Sequence, residues 1–142
     1  MKPLSASEIR GNWATLLLPI NADESIDFAR LEDELAYLTD ARVDGIYSNG
    51  TAGEFYAQSE DEFDRVNQLL AEHCHRANVP FQIGASHMSA QISVGRIKRA
   101  VMLEPSAIQV ILPDWQALTD EEIITCLQHF AAVAAPIGLI LY

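Results

Sequence analysis

Residues 43–55 read VDGIYSNGTAGEF, a short apolar run that stops at a glycine-rich turn. The run 43–48 is nearly continuous in apolar residues, which is typical of a strand in a parallel sheet covered on both faces. Gly50 and Gly53 lie three residues apart, so the chain can turn tightly there with backbone N–H groups left free. Such a turn can hold a carboxylate or a phosphate, or it can be a plain connection from a strand to a helix.

The same order, an apolar run followed by a loop and an amphipathic stretch, recurs along the chain. Apolar runs predict strands over residues 13–20, 43–48, 80–85, 107–112 and 137–142. Apolar side chains at helical spacing predict helices over residues 26–41, 60–76, 90–103 and 120–134. The second and fourth helices begin with the capping-box pairs Ser59 with Glu62 and Thr119 with Glu122.

Alternation of strands and helices fits two parallel architectures. One is a five-stranded doubly wound sheet of the flavodoxin type, and the other is part of a (β/α)8 barrel. The chain stops on the apolar residues of its fifth predicted strand, which would leave one face of that strand bare in a doubly wound sheet. We therefore expect an α/β fold in which residues 1–142 are the N-terminal portion of a single TIM-barrel domain, covering about strands 1 to 5.

Composition limits the partners and the compartment that we expect. The 142 residues carry a formal net charge of −11, and 49% are hydrophobic, which is enough for a buried core. Nucleic acids and anionic membranes repel an acidic chain, so neither is an expected partner. No apolar run is long enough to span a bilayer and the start lacks a secretory core, so we expect a cytoplasmic protein with reduced cysteines.

Residues that follow the predicted strands are candidates for a site, because parallel α/β proteins bind ligands at the carboxyl ends of their strands. Thr51 adds a hydroxyl to the turn after the second strand. Trp115 follows the fourth strand, where it can close a ligand site, lie in an interface or pack against its own loop. Tyr142 ends the fifth strand, where a phenol can transfer protons or be a satisfied core group.

Metal chemistry is not favoured by the sequence. His73 and His75 are two apart on a predicted helix, so their side chains point to different faces and are poor joint ligands. Acidic groups lie within or at the starts of helices, where they favour the helix dipole and solubility. We therefore expect neither a metal nor a cofactor. His87, after the third strand, can contact a substrate or be an ordinary loop histidine.

The stretch DGIYSNGTAGEF, residues 44–55, resembles the G-[TS]-[TA]-G-E signature of the dihydrodipicolinate synthase and N-acetylneuraminate lyase family. The resemblance covers essentially the whole chain, from Pro19 to residues 137–142, which are similar to the strand that leads into the family's L-Y-N-x-P motif. It implies a (β/α)8 barrel, usually a homotetramer. It also implies a class I aldolase, lyase or hydratase-aldolase that acts on pyruvate or a related small 2-oxo acid.

The resemblance also implies roles for particular residues. In this family a lysine on the sixth strand forms a Schiff base with the 2-oxo carbon. The tyrosine matched by Tyr142 passes protons, and the threonine matched by Thr51 hydrogen-bonds that tyrosine. The turn matched by Gly50, Thr51 and Ala52 binds the substrate carboxylate through its N–H groups, as a nest of amides can.

Two residues depart from the family pattern within the predicted site. Ala52 stands where members of the family often carry a second Thr or Ser, so one hydroxyl contact to the carboxylate is lost. Trp115 stands in the loop that reads Pro-Tyr-Tyr in the synthases, whose second tyrosine completes a proton relay in the neighbouring subunit. A tryptophan cannot relay a proton in that way. We therefore expect Trp115 to bind substrate, in a branch of the family that acts on another 2-oxo acid.

A third departure is that the chain ends before the sixth strand, with Lys2 and Lys98 as its only lysines. Lys2 lies in a tail, and Lys98 lies with Arg96 and Arg99 on a helix, where such charges usually form a solvated face. A Schiff-base lysine needs a desolvated site, so the 142 residues alone are expected to be inactive. The alternatives are a self-associating half-barrel fragment and a flavodoxin-like anion-binding domain.

Overall fold

Five parallel strands lie side by side in a computed structural model that describes residues 1–113 and 115–142. The strands are β1 (Trp13–Thr15), β2 (Gly45–Ser48), β3 (Phe81–Gly84), β4 (Ala107–Val110) and β5 (Leu139–Leu141). One long helix connects each strand to the next: α1 (Phe28–Asp40), α2 (Glu60–Ala77), α3 (Ala90–Val101) and α4 (Asp120–Ala134). A short 3₁₀ helix, Thr51–Gly53, follows β2.

Strand order distinguishes the two architectures that the sequence left open. A flavodoxin-like sheet reverses its winding, so that its second strand lies outside its first. Here the order is β1-β2-β3-β4-β5, and every neighbouring pair is parallel. A steadily advancing order is that of a (β/α)8 barrel. The expected fold class is confirmed, and the flavodoxin-like alternative is wrong.

The strands are shorter than predicted, and the first differs most. β1 ends at Thr15, whereas the apolar pattern predicted a strand over 13–20. Leu16 still donates its N–H to a carbonyl of β2, but Pro19 has no N–H to continue the ladder. The Pro19 carbonyl instead accepts the N–H of Asp27 at 2.8 Å, and Asp27 caps α1. The apolar run after Thr15 therefore leads out of the sheet and into the first helix.

Successive residues of each strand point to opposite sides of the sheet, and the two sides differ in chemistry. The side under the helices is apolar and forms the core. The opposite side carries the polar side chains of Thr15, Tyr47, Gln82 and Gln109, although the sequence pattern suggested apolar residues on both faces. The core side includes Ile46, Phe81, Ile83, Ile108 and Val110, packed with Leu31, Leu35, Phe63, Leu70, Ile97 and Phe130.

Both predicted capping boxes are present. Ser59 accepts the N–H of Glu62 while the Glu62 carboxylate accepts the N–H of Ser59, and Thr119 and Glu122 form the same pair. Hydrogen bonds from Thr119 hold the pKa of Glu122 below its usual value. Within the described residues, no helix combines the length and the apolar character needed to cross a bilayer.

Replacing the cap of α2 tests how firmly this helix is fixed at its start. Ser59→Ala removes the acceptor for the Glu62 N–H, and we expect it to lower the free energy of unfolding by about 1 kcal/mol. Ser59→Thr keeps the hydroxyl and is the matched control, with an expected loss of less than about 0.5 kcal/mol. Urea unfolding followed by circular dichroism measures both. Equal losses in the two variants would contradict a capping role for the hydroxyl.

Candidate active site

A cavity of about 430 Å³ lies against the side of the sheet that faces away from the helices, and it reaches the carboxyl ends of the strands. It brings Gly50, Thr51 and Ala52 together with Tyr142, four of the residues predicted for the site. Tyr142 is 75% exposed, and within the described part of the chain no hydrogen bond joins it to Thr51. The other lining residues are Trp13, Tyr47, Gln82 and Gln109, and all of these side chains are uncharged.

Three polar residues of the cavity were missed from the sequence. Tyr47 lies directly beneath Gly50, where a Cβ atom would come within 2.8 Å of the tyrosine ring, and its hydroxyl accepts a hydrogen bond from Thr15. Gln82 donates from Nε2 to Oε1 of Gln109 at 2.8 Å. The alternation of residues in each strand could have predicted these three positions, because residues next to the buried apolar ones must face the opposite side of the sheet.

The turn after β2 is a single 3₁₀ turn. Gly53 donates its N–H to the Gly50 carbonyl at 3.0 Å, and Glu54 donates to the Thr51 carbonyl at 3.2 Å. The N–H groups of Thr51 and Ala52 precede the first bonded N–H group of the turn, that of Gly53, and so have no acceptor inside the turn. Both residues are exposed. Two adjacent N–H donors at one wall of a cavity suit a carboxylate.

Buried side chains support the turn from the side of the helices. Gln58 donates from Nε2 to Oδ1 of Asn49 at 3.0 Å and to the Gly53 carbonyl at 3.1 Å. Asn49 has a φ of 55°, in the left-handed region that asparagine tolerates better than most residues. Ser48 donates to Oδ1 of Asn67 at 2.6 Å, which ties the end of β2 to α2.

The end of β2 also rests on the main chain of β3. A Cβ atom on Gly84 would lie 2.4 Å from the carbonyl oxygen of Asn49 and 2.9 Å from that of Ser48. Both neighbours are backbone atoms, which cannot move aside as the end of a flexible side chain can. Gly84 therefore allows this close approach of the turn to the neighbouring strand.

Arg96 of α3 is buried, with 1% of its surface exposed. The expectation that it belongs to a solvated face is wrong, because it lies on the buried side of the helix with Ser93, Ile97 and Ala100. Those four positions follow the helical spacing of a buried stripe, so the sequence did contain the signal. Lys98 is exposed, as expected of the outer face.

Glu60 neutralises the buried charge of Arg96. Its Oε1 lies 2.8 Å from Nη2 of Arg96, and its Oε2 lies 2.6 Å from Nη2 of Arg99. Arg99 also binds Oδ1 of Asp64 through its Nε, at 2.6 Å. Burial acts to raise the pKa of Glu60, but hydrogen bonds and charges from the two arginines outweigh it and hold the pKa below its usual value. Glu60 therefore remains ionised at neutral pH.

Trp115 and His87 lie in a second groove, of about 750 Å³, between the start of α3 and α4. Trp115 is 73% exposed and does not line the cavity that holds Thr51. Its expected contact with substrate stays a prediction. Asp114, which precedes it in the predicted loop motif, lies outside the described residues.

Neither lysine has the desolvated setting that a Schiff-base amine requires. The Lys2 side chain is 78% exposed, and its Nζ lies 3.0 Å from Oε1 of Glu8. Lys98 is exposed on α3 and lines neither the cavity with Thr51 nor the groove with Trp115.

Comparison with known proteins points to one family. The model of the dihydrodipicolinate synthetase family matches residues 8–142. A 4-hydroxy-tetrahydrodipicolinate synthase from Thermomicrobium roseum is 31% identical over 131 residues, which cover 92% of this chain and 42% of that protein. An N-acetylneuraminate lyase from Enterobacter sp. (strain 638) is 33% identical over 67 residues, 47% of this chain and 23% of that protein. The chain thus spans less than half the length of these relatives.

Solved structures share the fold. A prophage protein of the dihydrodipicolinic acid synthase family from E. coli K12, in complex with pyruvate, matches with a TM-score of 0.87 at 22% identity. The match covers 94% of this chain and 44% of that chain. A catalytic lysine mutant of Ruminococcus gnavus sialic acid aldolase matches with a TM-score of 0.88 at 18% identity, covering 100% and 46% of the two chains.

The contact at Gly84 can be tested by adding one methyl group. Gly84→Ala forces the Asn49 carbonyl away, and we expect the free energy of unfolding to fall by about 1–3 kcal/mol. Gly95→Ala is the control, because among the described residues its Cβ would have only Arg99 Nη1 nearby, at 3.5 Å, and alanine favours a helix. Urea unfolding should show Gly95→Ala at least as stable as the parent. A neutral Gly84→Ala would contradict the close approach.

Proposed function

This chain belongs to the dihydrodipicolinate synthetase family, and on that basis we propose that it supplies part of the active site of a Schiff-base-forming carbon–carbon lyase or aldolase. The substrate is pyruvate or a related 2-oxo acid, and a hydratase-aldolase reaction belongs to the same class. The observation that carries the proposal is the shared cavity of the turn Gly50, Thr51 and Ala52 with Tyr142.

The turn fits the carboxylate of a 2-oxo acid. The N–H groups of Thr51 and Ala52 are adjacent and have no acceptor inside the turn, so each can donate to one carboxylate. Ala52 supplies only its N–H, because it lacks a hydroxyl. In a 2-oxo acid the carbonyl carbon is bonded directly to the carboxylate carbon. Binding the carboxylate at the turn therefore holds the reacting carbon in the cavity that Tyr142 lines.

The chemistry follows from an amine and a phenol at that carbon. The amine adds to the 2-oxo carbon and water leaves, giving a protonated imine. The adjacent carbon then loses a proton, or its bond to the carbon beyond it breaks, and the imine accepts the released electron pair to become an enamine. The Tyr142 hydroxyl passes protons to and from the substrate during these steps. Because the imine is itself the electron sink, the reaction calls for no metal and no organic cofactor.

We infer that the amine is a lysine outside these 142 residues, since neither Lys2 nor Lys98 approaches the cavity. Family membership further supports a cytoplasmic homo-oligomer.

A second candidate function is a non-catalytic module that associates with itself. It is favoured by the apolar groups at the edge of the sheet and on α4, where Leu141 is 54% and Ile124 is 55% exposed.

Borohydride reduction tests Schiff-base formation directly, because it converts the imine into a stable amine. We expect one pyruvate adduct, seen as an intact-mass increase, on the product of the complete reading frame and none on the 142-residue chain. Treatment with borohydride alone is the control. An adduct on the 142-residue chain would overturn the assignment of the lysine, and no adduct on either protein would overturn the Schiff-base proposal.

The role of Tyr142 can be measured without knowing the second substrate. An enamine of pyruvate exchanges its methyl protons with D₂O, and proton NMR follows this exchange. In the product of the complete reading frame, Tyr142→Phe should slow the exchange by about 10²- to 10⁴-fold, the usual contribution of a general acid or base. Tyr37→Phe is the control, because Tyr37 is 74% exposed on α1. Equal rates in the two variants would contradict the assignment.

A further inference from the structure

The guanidinium of Arg96 joins two loops at the carboxyl end of the sheet. It donates to the Ser86 carbonyl at 2.8 Å, in the loop after β3. It also donates to the Phe55 carbonyl at 3.3 Å and to the Gln58 carbonyl at 3.5 Å, in the segment between the 3₁₀ turn and α2. One planar group from α3 thus fixes backbone in both loops. The forked donor geometry of arginine allows this, and lysine lacks it.

Gln58 links the segment between the 3₁₀ turn and α2 to the turn itself. Its carbonyl accepts from Arg96, while its side-chain amide donates to Asn49 on one side of the turn and to the Gly53 carbonyl on the other. Gln58 is 8% exposed, so water reaches these bonds poorly. A path of direct hydrogen bonds therefore runs from Arg96 to the turn that lines the cavity.

The surroundings of Arg96 leave its guanidinium little freedom to move. The centroid of the Phe63 ring lies 4.7 Å from Cζ of Arg96, and Oε1 of Glu60 lies 2.9 Å from its Nε and 2.8 Å from its Nη2. Arg99 also binds Glu60 and lies over the same ring, at 5.5 Å, but it has no hydrogen bond to the 54–58 segment among the described residues. The two arginines thus share their charge partner and differ in their contact with the loop.

We propose that Arg96 is a positioning residue for the substrate carboxylate. It orders residues 54–58, and Gln58 within them holds the turn that binds the carboxylate. The role of the turn rests on the proposed function, whereas the link from Arg96 to the turn rests on the contacts alone. Without the guanidinium, the Phe55, Gln58 and Ser86 carbonyls lose their donor in a buried setting. The turn should then open more often and bind a carboxylate more weakly.

Amide hydrogen exchange in the 142-residue chain tests the link without any catalysis. The readouts are the Gly53 and Glu54 N–H groups, which are bonded within the turn. Arg96→Met should raise their exchange rates at least about tenfold, because buried carbonyls lose their donor. The matched control Arg99→Met removes the other partner of Glu60 and should raise them less than about threefold. An unchanged rate in Arg96→Met would overturn the proposal.

A conservative variant separates positioning from general stability. Arg96→Lys keeps the charge but cannot serve the three carbonyls and Glu60 together, so the turn amides should exchange faster while core amides of β3 keep their rates. If Arg96→Met fails to fold, as circular dichroism would show, Arg96→Lys decides the question. A uniform rise in exchange across turn and core would overturn a positioning role.

Kinetics of pyruvate methyl exchange give a second readout, in the product of the complete reading frame. We expect Arg96→Met to raise KM for pyruvate about tenfold while kcat changes less than about threefold, since carboxylate binding is weakened and the reacting groups are untouched. A fall in kcat at constant KM would overturn the proposal. If the parent protein does not exchange pyruvate protons at all, the proposed function fails, and the amide exchange result still decides whether Arg96 orders the turn.

Discussion

Contact between two main chains determines where the turn after β2 lies. The Asn49 carbonyl oxygen rests so close to Gly84 of β3 that a Cβ there would be 2.4 Å away. With this contact, the turn lies against the neighbouring strand instead of standing away from the sheet. Thr51 and Ala52, both exposed, then line one wall of the cavity. The position of Tyr142 relative to the turn follows from the parallel order of the strands between them.

Two environments meet at this turn. On the side of the helices it is held by buried polar groups, Gln58 and Asn49 directly and Arg96 through the adjoining segment. On the side of the cavity lie Thr51 and Ala52, whose N–H groups have no acceptor within the turn, and the side chains that line the cavity are uncharged. A ligand carboxylate therefore finds donors already in place, which lowers the cost of ordering them on binding.

The sequence predicted the fold well because its signals are local. Apolar runs and helical spacing predicted the five strands and the four long helices, and their boundaries moved, as at the first strand, where Pro19 and the Asp27 cap redirect the chain. The turn with Thr51 was found because its glycines lie only three residues apart in the chain. Arg96 was misread, since a charge on a helix is usually solvated. Its burial depends on carbonyls of two loops, and the carbonyl of Phe55 lies 41 residues away in the chain.

We propose that the turn Gly50, Thr51 and Ala52 binds the carboxylate of a 2-oxo acid beside Tyr142. The decisive measurement is a crystal structure of the product of the complete reading frame, with pyruvate reduced onto its lysine. We expect a carboxylate oxygen within about 3 Å of the Thr51 and Ala52 nitrogens. We also expect the Tyr142 hydroxyl beside the former 2-oxo carbon. A carboxylate bound elsewhere, for example in the groove of His87 and Trp115, would show that the turn does not bind it.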